Sequence, residues 1–513
     1  MKKRRVEISV FQLLIILLII IAIVVTIVIV KKNVDFSNLG IKILKEEFVG
    51  TGTIDNPYRI EYIEDLVRLS ENVNKGKSYK NKYFKVENNL DFKEDKSYKN
   101  PNSKFGDINN DGNKDSIKVE LTTNSGFKSI GDNESNSFEG IFDGNGKTIK
   151  NLIITNKNNA ESLVGLFGYN QGRIARVTIV GNITLENKIE NEKIYAGMLC
   201  ARNKGIIETC NIEGIIEEKE IIEKTITKVA GIVAENMGKI VNTVSNVNII
   251  SNQLKAGIVA ENIILDDIEN SAEIINCTNL GNIKENIPSD YYTGGIVAIN
   301  DNGNITSCNN NGEIEGKKVG GIAGTSKGYI VACQNAGNIR NLEEDSNDEE
   351  IAGGIVGTLD SSIVENCKNI GNIEGLTNVG GIVGKNQGTI SQCKNVANIS
   401  KIVENKANIL NIGGIVGDFS QGKVTNSKNY GSIFSKVDNI VNLGGICGTL
   451  YKDSIIESSE NHGELAGAGK TIISNEDLNK KCFNCISNNG GTAENADFGE
   501  LNIGLIYGKY IEK

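Results

Sequence analysis

One segment of the chain has the residue types and the spacing of a calcium-binding loop. Oxygen ligands fall at alternate positions around Gly112, which stands sixth, where such loops turn sharply, and the candidate ligands are Asp107, Asn109, Asp111, Asn113 and Asp115. The twelfth position carries Lys118 instead of glutamate, so the segment is not a complete EF-hand. The spacing predicts a structural Ca²⁺ site, although a polar turn without metal would have the same composition.

Catalysis that depends on histidine is disfavoured by the composition. His462 is the only histidine among 513 residues, so the chain cannot form the H-E-x-x-H motif of zinc peptidases. Tryptophan is absent and aromatic residues make up 5% of the chain, which leaves few platforms on which a sugar ring could stack. We therefore predict that the chain is not an enzyme.

The cysteines follow a repeat better than they follow a disulfide framework. Six of the ten occupy one repeat position, at Cys210, Cys277, Cys308, Cys333, Cys367 and Cys393. Ser427 and Ser459 fill that position in the next two copies, which predicts a small buried group there and not a bridge. Cys482 and Cys485 form a C-x-x-C outside the repeat, for which a local disulfide, a metal site and simple packing all remain open.

The first 32 residues have the pattern of an uncleaved membrane anchor. The run Ile8–Val30 has no charged residue and is long enough as a helix to cross a bilayer. A basic cluster precedes it, and no small-residue cleavage site of a signal peptide follows it. This predicts a single-pass protein of the cell membrane, with a cytoplasmic N-terminus and the chain after Lys32 outside the cell.

From residue 164 onward a Gly-Gly-Ile-Val-Gly unit recurs with a period of roughly 31 residues, a period typical of repeat architectures. Its second glycine falls at Gly165, Gly197, Gly231, Gly257, Gly295, Gly321, Gly354, Gly381, Gly414 and Gly445. Each copy continues in the same way. After Gly380–Gly384, residues 385–388 suggest a turn, 389–393 a second strand, 394–395 a corner and 398–399 a third strand. Propeller blades would need longer strands in hairpins, and no segment carries the apolar stripe of a helical repeat.

The fold class predicted from this pattern is all-β: a parallel β-helix, or β-solenoid, of about 10–13 coils. It has an N-terminal α/β capping module, with an amphipathic helix around Glu61–Val73, and one N-terminal transmembrane helix. The predicted organisation is 1–32 basic tail and membrane anchor, 33–47 linker, 48–155 capping module with the candidate calcium loop, 156–468 repeats and 469–513 C-terminal cap.

An asparagine recurs at one corner of seven successive copies. These residues are Asn279, Asn310, Asn335, Asn369, Asn395, Asn429 and Asn461. Asparagine tolerates the left-handed backbone of tight turns and can stack its amide on the amide of the next coil. We expect a structural ladder here and not a ligand site.

The repeat resembles the GLUG motif, on the run Gly380–Gly384 together with Gly388, Ile390, Cys393, Asn395 and Ile399. That motif occurs in tandem in bacterial surface proteins and in the N-terminal region of IgA1-specific zinc metallopeptidases. Residues 50–74 and 138–149 also resemble the segment that precedes such repeats. The resemblance implies a surface-exposed β-helix that serves adhesion or scaffolding, and it does not imply the peptidase domain.

The expected function is therefore that of a cell-surface adhesin or binding scaffold without catalysis. A polysaccharide-cleaving β-helix enzyme, a lyase or a glycosidase, is the alternative. The formal net charge of -9 argues against nucleic acid and leaves an extracellular glycan or protein as partner, besides the membrane bound through the N-terminal helix. The longest insertions precede the Gly-Gly pairs and predict one binding edge, at 184–195, 215–228, 284–292, 340–351, 400–411 and 435–442.

Overall fold

The computed structural model describes residues 48–94, 126–155, 161–186, 192–220, 226–264, 272–342, 349–401, 410–436, 441–468 and 470–472, and short strands at 482–483, 486–487, 491–494, 500–504 and 507–511. The chain divides into two compact units, 1–49 and 50–513, and the helix and all strands given below belong to the second. The predicted membrane span Ile8–Val30 lies outside the described residues. Within them, no helix combines the length and the hydropathy needed to cross a membrane.

The second unit is a parallel β-solenoid, in which each coil contributes in turn to four sheets. Sheet 1 contains Glu161–Val164, Lys193–Gly197, Ile226–Ala230, Leu254–Ala256, Tyr292–Gly294, Lys318–Gly320, Ile351–Gly353, Asn378–Gly380, Leu410–Gly413, Val441–Gly444, Glu500–Gly504 and Lys470–Ile472. Sheet 2 contains Phe167–Asn170, Cys200–Asn203, Val233–Asn236, Val259–Ile263, Val297–Asp301, Ala323–Ser326, Val356–Leu359, Val383–Asn386, Val416–Phe419, Cys447–Tyr451 and Tyr507–Ile511.

Sheets 3 and 4 complete the coil. Sheet 3 contains Tyr58–Ile60, Tyr83–Val86, Ile141–Asp143, Arg173–Ala175, Ile206–Glu208, Lys239–Val241, Glu273–Ile275, Asn304–Thr306, Ile330–Val331, Ile363–Glu365, Thr389–Ser391, Gly422–Thr425, Ser454–Glu457 and Cys482–Phe483. Sheet 4 begins with the single strands Leu90–Asp91, Thr148–Thr155, Thr178–Glu186, Asn211–Glu220 and Val244–Ile250. It continues with pairs of short strands: Thr278–Asn279 with Ile283–Lys284, Asn309–Asn310 with Ile314–Gly316, Gln334–Asn335 with Ile339–Asn341, Lys368–Asn369 with Ile373–Glu374, Lys394–Asn395 with Ile399–Lys401, Lys428–Asn429 with Ile433–Lys436, Glu460–Asn461 with Leu465–Ala468, and Ile486–Ser487 with Gly491–Glu494.

The predicted solenoid is confirmed, and the repeated residues explain why the coils stack. Successive strands pair in parallel and in register, so that Gly353 lies beside Gly380 and Gly380 beside Gly413. Each coil sends a few aliphatic side chains inward, and in one coil these are Val379, Ile382, Val383, Ile390 and Ile399, all buried. Burial of a side chain of this size contributes about 1.5–3 kcal/mol, so the interior column of the stack supplies the main driving force for folding.

The predicted division of a coil into three strands is wrong in detail. The sheet 2 strand Val383–Asn386 runs on through Lys385 and Asn386, where a turn was expected, because the Asn386 side chain points into the stack and the backbone stays extended. Lys394–Asn395, expected to be a corner, pairs with the strands of the neighbouring coils. The corner lies one residue before Cys393, where Gln392 has a positive φ of 54°.

At that corner, residues other than glycine adopt the left-handed backbone conformation. The residues with positive φ immediately before sheet 4 are Arg176, Thr209, Asn242, Asn276, Ser307, Ala332, Asn366, Gln392, Asn426 and Ser458. Asparagine adopts this conformation at the least cost among them, which accounts for its frequent use here. The next residue turns inward and is buried. In six of these coils it is the Cys of the repeat, a free thiol, and in the other four it is Val177, Thr243, Ser427 or Ser459.

Two rows of asparagines tie the coils together. The predicted ladder is confirmed: each Nδ2 donates to the Oδ1 of the next coil, from Asn279 through Asn461, at 2.7–3.0 Å. A second ladder, which we did not predict, runs between sheets 2 and 3 from Asn170 through Asn203, Asn236, Asn262 and Asn300 to Ser326 at 2.8–3.0 Å. Because each amide also closes its own turn, these buried polar groups are satisfied.

The predicted amphipathic helix is present as Ile63–Val73. Its apolar residues Ile63, Leu66, Leu69 and Val73 are buried. Asp65 accepts hydrogen bonds from the backbone N–H groups of residues 61 and 62, both at 3.0 Å, and so secures the start of the helix. The strand Tyr83–Val86 pairs on one side with Tyr58–Ile60 and on the other with Ile141–Asp143, so sheet 3 already includes this N-terminal segment.

Candidate functional site

The predicted calcium loop, with Asp107, Asn109, Asp111, Asn113 and Asp115, lies outside the described residues, and the site stays a prediction. Among the residues that the structure describes, no group of three or more His, Cys, Asp or Glu side chains could hold a metal ion. Cys485 is likewise outside the described part of the chain, so the choice between disulfide, metal and packing for the C-x-x-C stays open.

The described surface feature best suited to binding is a groove where sheets 1 and 2 meet. We call it the corner groove. Its sheet 1 wall is a row of outward-facing side chains that includes Tyr195, Lys228, Leu254, Tyr292, Lys318, Ile351, Asn378, Asn411 and Asn442. Its sheet 2 wall includes Arg202, Glu235, Glu261, Ile299, Thr325, Thr358, Lys385, Asp418 and Thr449. Both rows run along the direction in which the coils stack.

The groove is concave because small residues let the two sheets approach on their outer side. A β-carbon built on Gly384 would lie 2.6 Å from Cγ2 of Ile351, a separation that real side chains do not tolerate. In earlier coils alanine takes the corresponding place, and Ala234 packs with Tyr195 in a small outer cluster. The last residue of the Gly-Gly-Ile-Val-Gly unit is therefore small because it forms the floor of the groove.

One stretch of the groove, between Glu161 and Glu261, is closed by ion pairs. Arg202 lies 2.9 Å from Glu161 and 3.0 Å from Glu235, and its guanidinium sits 4.0 Å above the ring of Tyr195. Lys228 bridges the walls, at 2.6 Å from Glu235 and in contact with Glu261. All five charged side chains have partners of opposite sign, so this stretch is a structural network.

The electrostatics of that stretch agree with a structural role. Burial raises the pKa of Tyr195, so its hydroxyl stays neutral. Burial alone would lower the pKa of Lys228, but Glu235 and Glu261 raise it by a larger amount. A lysine held firmly in its charged form cannot act as a base near neutral pH.

A second stretch, between Ile351 and Thr449, is lined by amides and hydroxyls. Asn442 donates to Asn411 at 2.8 Å, and Asn411 donates to Asn378 at 2.8 Å, so three amides form a row along one wall. Thr449 on the opposite wall donates to Asn411 at 2.6 Å and accepts from Asn442 at 3.1 Å. The row ends at Glu349, which contacts Asn378 and lies 2.9 Å from Lys385.

Two polar atoms in this second stretch lack partners. Oγ1 of Thr358 and Oδ1 of Asp418 are buried and have no hydrogen bond within the described residues. Both lie on the sheet 2 wall, in register, with Lys385 between them. Burial raises the pKa of Asp418 to about 6, opposed by Lys385 and reinforced by Glu349. Unpaired buried oxygens are uncommon, and each destabilises the fold unless something else satisfies it.

Of the insertions that predict a binding edge, the one described in full leads into the sheet 1 strand Tyr292–Gly294. Residues 284–292 are the one insertion that the structure describes in full. Here Asp290 lies 3.1 Å from both Lys317 and Lys318, while Ile287 and Tyr291 are exposed. Beneath it, Lys255 and Glu285 form an ion pair whose side chains are both completely buried.

A further hollow of about 630 Å³ lies at the corner between sheets 2 and 3. Its floor is the glycine row Gly140, Gly172, Gly205 and Gly238. The charged residues on its rim are paired, with Lys239 2.8 Å from Glu273 and Arg173 in contact with Glu208. The hollow therefore has the form of a binding site, but no buried polar atom in its described lining lacks a hydrogen bond. The corner groove is the stronger candidate.

The amide row was missed at the level of sequence, although a signal for it exists. Asn378, Asn411 and Asn442 each stand three residues before the second glycine of a Gly-Gly pair. Residues at equal offsets from a repeat stack in register, so these amides could have been placed in one row. The outward orientation of this row depends on the bend of the chain at the glycines. The spacing of the asparagines does not reveal that bend.

The fold defines the chain as a parallel β-solenoid with an amide-lined outer groove. No protein-family model matches the sequence, and no curated protein matches it. One solved structure, titled "Crystal structure of a putative immunoglobulin A1 protease from Bacteroides ovatus", aligns over 90% of this chain and 86% of that chain, at 12% identity and a TM-score of 0.24. A TM-score of that size does not establish a common fold.

Proposed function

We propose that this chain is a membrane-anchored cell-surface β-solenoid that acts as an adhesin or binding scaffold and holds its ligand in the corner groove. The observation that carries the proposal is the row of amide, hydroxyl and charged side chains along the corner groove, in which Lys385, Asn411 and Asp418 are partly exposed. Partly exposed amide and charged side chains that follow one row are suited to hydrogen-bonding a ligand.

The cellular setting is proposed from the sequence. The apolar run Ile8–Val30 anchors the chain with its N-terminus in the cytoplasm, residues 48–155 cap the first coil, and residues 469–513 cap the last. The resemblance of the repeat to the GLUG motif fits this setting, because that motif is typical of bacterial surface proteins. A structural Ca²⁺ at the loop 107–115 would stiffen the capping segment.

A polysaccharide-cleaving enzyme is the second candidate, and Asp418 is the observation in its favour. Its pKa of about 6 would let it hold a proton under mildly acidic conditions, as the general acid of a glycosidase must. Glycosidases need a second carboxylate that stays charged, and Glu349 is a carboxylate whose charge raises the pKa of Asp418. However, Glu349 is ion-paired with Lys385 at 2.9 Å, which weakens it as a nucleophile or base.

One experiment separates the two functions. The full chain, purified in mild detergent, is exposed to an array of glycans and matrix proteins with and without Ca²⁺, and each captured ligand is analysed by mass spectrometry. The scaffold proposal expects ligands to be recovered intact. Recovery of shortened glycans would establish the enzyme instead, and absence of capture from every class would refute the binding function. Capture that requires Ca²⁺ would support the loop at 107–115.

A further inference from the structure

We propose that the outer face of sheet 4 binds an acidic polysaccharide, a glycan chain that carries carboxylate or sulfate groups. The binding surface, which we call the lysine face, consists of the row Lys368, Lys394 and Lys428 and the neighbouring row Ile370, Val396 and Tyr430. This is a second binding surface, made of residues other than those of the corner groove, and it does not depend on a ligand there.

Three lysines occupy the same position in three successive coils. Lys368 pairs in register with Lys394, and Lys394 pairs in register with Lys428. Neighbouring parallel strands lie about 4.8 Å apart, and like charges directly opposite each other on paired strands destabilise a sheet. Lys368 and Lys394 are exposed, and neither forms an ion pair within the described part of the chain. The fold therefore keeps a row of positive charge at its surface with little compensation.

The acidic side chains that border the lysine face on sheet 4 and in the next coil are already paired. These pairs are Glu460 with Lys428 at 3.0 Å, Glu457 with Lys423 at 2.7 Å and Glu374 with Arg340 at 3.7 Å. Glu365 lies on sheet 3 and accepts a hydrogen bond from Ser391 at 3.5 Å. A local positive row on a chain whose formal net charge is -9 attracts anionic ligands to one place.

An exposed apolar row runs beside the lysines. Ile370, Val396 and Tyr430 are 39%, 43% and 42% exposed, although side chains of this kind fill the interior elsewhere. Nζ of Lys394 lies 5.5 Å from the centre of the Tyr430 ring, so the two rows are in contact. Exposed apolar side chains that are contiguous and rimmed by polar groups mark interaction surfaces. The apolar face of a sugar ring is a suitable partner for such a row.

The row beyond the apolar side chains supplies hydrogen-bond donors. Oδ1 of Asn372 accepts from the backbone N–H of Asn398 at 3.2 Å, and Oδ1 of Asn398 accepts from that of Ser432 at 3.1 Å. These contacts orient the two exposed amides and leave their Nδ2 groups to donate to a ligand. Lysine ammonium groups can only donate as well. The face therefore suits a ligand that is rich in acceptors, as a glycan with anionic groups is.

A hollow of about 270 Å³ adjoins the amide row, and Asn338 and Asn372 contribute to its lining. The charged residues that line it are Glu313, Glu315, Arg340 and Glu374. Because three of these four are acidic, the hollow repels anionic groups. The anionic groups of the ligand are therefore placed on the lysine side, and its neutral hydroxyls on the side of the amides.

A polymer with a repeating unit matches this surface because each coil offers the same groups in the same order. In one coil these are Lys394, Val396 and Asn398, a cation, an apolar side chain and an amide. One coil advances by a distance comparable to one pyranose unit, so successive sugars meet successive coils. A peptide cannot extend sheet 4 here, because these strands already pair with the coils on both sides.

The test measures binding to the full chain by calorimetry, with oligomers of galacturonic acid and with dextran sulfate as the anionic probes. Their neutral counterparts are the methyl-esterified oligomers and unmodified dextran. The wild type is expected to bind an anionic probe, more weakly as salt is added, and not to bind its neutral counterpart. The double variant Lys368→Gln with Lys394→Gln should lower the affinity about fivefold or more, the size of two exposed ion pairs.

The matched control is the double variant Lys193→Gln with Lys219→Gln. It removes the same charge at exposed positions of earlier coils and should stay within about twofold of the wild type. Val396→Glu places a carboxylate between the lysines at an exposed position and should weaken binding by repulsion. Thermal unfolding should show that every variant remains folded, because all the exchanged side chains are exposed.

Each outcome bears on the lysine face or on the proposed function separately. If the wild type binds an anionic probe and both Val396→Glu and the Lys368 and Lys394 variant bind it equally well, the lysine face is not the site. If the neutral counterparts bind as well as the anionic probes, the ligand class is wrong. If vesicles that contain phosphatidylglycerol bind and neither anionic glycan does, the face recognises a membrane and the proposal fails.

The wider array distinguishes failure of this inference from failure of the proposed function. If neither anionic probe binds while the array captures other ligands, the lysine face is refuted and the scaffold function stands. If the array captures nothing from any class, the scaffold function fails as well.

Discussion

Gly381 lies directly against the amide of Asn395: a β-carbon built on Gly381 would be 2.6 Å from Cγ of Asn395. The same relationship joins Gly321 to Asn335 and Gly354 to Asn369, at 2.5 Å in both cases. The second glycine of each pair is thus the surface on which the asparagine ladder packs, and two features that are far apart in a coil are parts of one interior contact.

Substitution of Gly381 by Ala should destabilise the solenoid strongly. The added β-carbon would lie 2.0 Å from the carbonyl oxygen of Gly414 as well as 2.6 Å from Cγ of Asn395, and overpacking of a rigid interior typically costs about 1–3 kcal/mol. We expect the free energy of unfolding in urea to fall by at least that amount. Gly371→Ala is the matched control: its β-carbon would also lie 2.0 Å from a backbone oxygen, that of Gly337, but no asparagine is among its nearest contacts, and the next coil naturally carries Ala397 at this position, so it should cost less. Equal losses in the two variants would show that the asparagine contact is not the reason for the glycine.

Removal of one ladder amide should be costly as well. Asn395 receives a hydrogen bond from Asn369 at 3.0 Å and donates to Asn429 at 2.8 Å and to the carbonyl of residue 397 at 2.9 Å. Asn395→Ala leaves buried partners unpaired, at about 1–3 kcal/mol each. The exposed Asn398, whose side chain accepts one bond from the backbone of residue 432, is the control and should cost about 0.5 kcal/mol on substitution by Ala. Chemical denaturation measures both.

The buried ion pair between Lys255 and Glu285 allows a test of how much charge compensation contributes to stability. Lys255 stands in a row otherwise filled by small or aliphatic residues such as Val229 and Thr293, and burial lowers its pKa while Glu285 raises it. Glu285→Gln removes the carboxylate that is hydrogen-bonded to the buried Lys255 and should destabilise the chain by about 3–5 kcal/mol. The double variant Lys255→Met with Glu285→Gln should recover most of that loss in urea unfolding. If the double variant is as unstable as Glu285→Gln alone, the pair stabilises the fold through contacts other than charge compensation.

The carboxyl of Asp418 should make stability depend on pH in a defined direction. Its folded pKa of about 6 lies above the ordinary value of 3.8, so the folded chain holds the proton more tightly than the unfolded chain. Its contribution to the free energy of unfolding therefore falls as pH rises from about 4 to about 6 and is constant above. Asp418→Asn should stabilise the chain by about 1–3 kcal/mol at pH 7 and by little at pH 4. A variant that is less stable than the wild type at pH 7 would contradict the raised pKa.

Much of the fold could be predicted because the repeat is long and regular. The Gly-Gly-Ile-Val-Gly spacing predicts stacked parallel coils, the recurring Asn395 position predicts the ladder, and the recurring Cys393 position predicts a small buried group. The helix Ile63–Val73 follows from its apolar periodicity. All of these are local patterns whose meaning does not depend on the path of the chain between them.

The site could not be predicted in the same way. Asp418 and Asn411 stand seven residues apart on two different strands, and nothing in their spacing indicates that they face one groove. The strand that continues through Asn386 was also misplaced, because a run of Lys, Asn, Gln and Gly is typical of a turn when it is considered alone. Its extended form depends on parallel pairing with the strands of the neighbouring coils.

The sequence by itself determined the period, the parallel stacking and the residues that repeat, because in-register coils place every equivalent side chain in one row. Only the tertiary structure decided which rows face inward and which face outward. The glycines and alanines between sheets 1 and 2 permit a close approach that turns two outer rows toward each other. This bend makes the corner groove, and it leaves Asp418 buried at its wall without a partner.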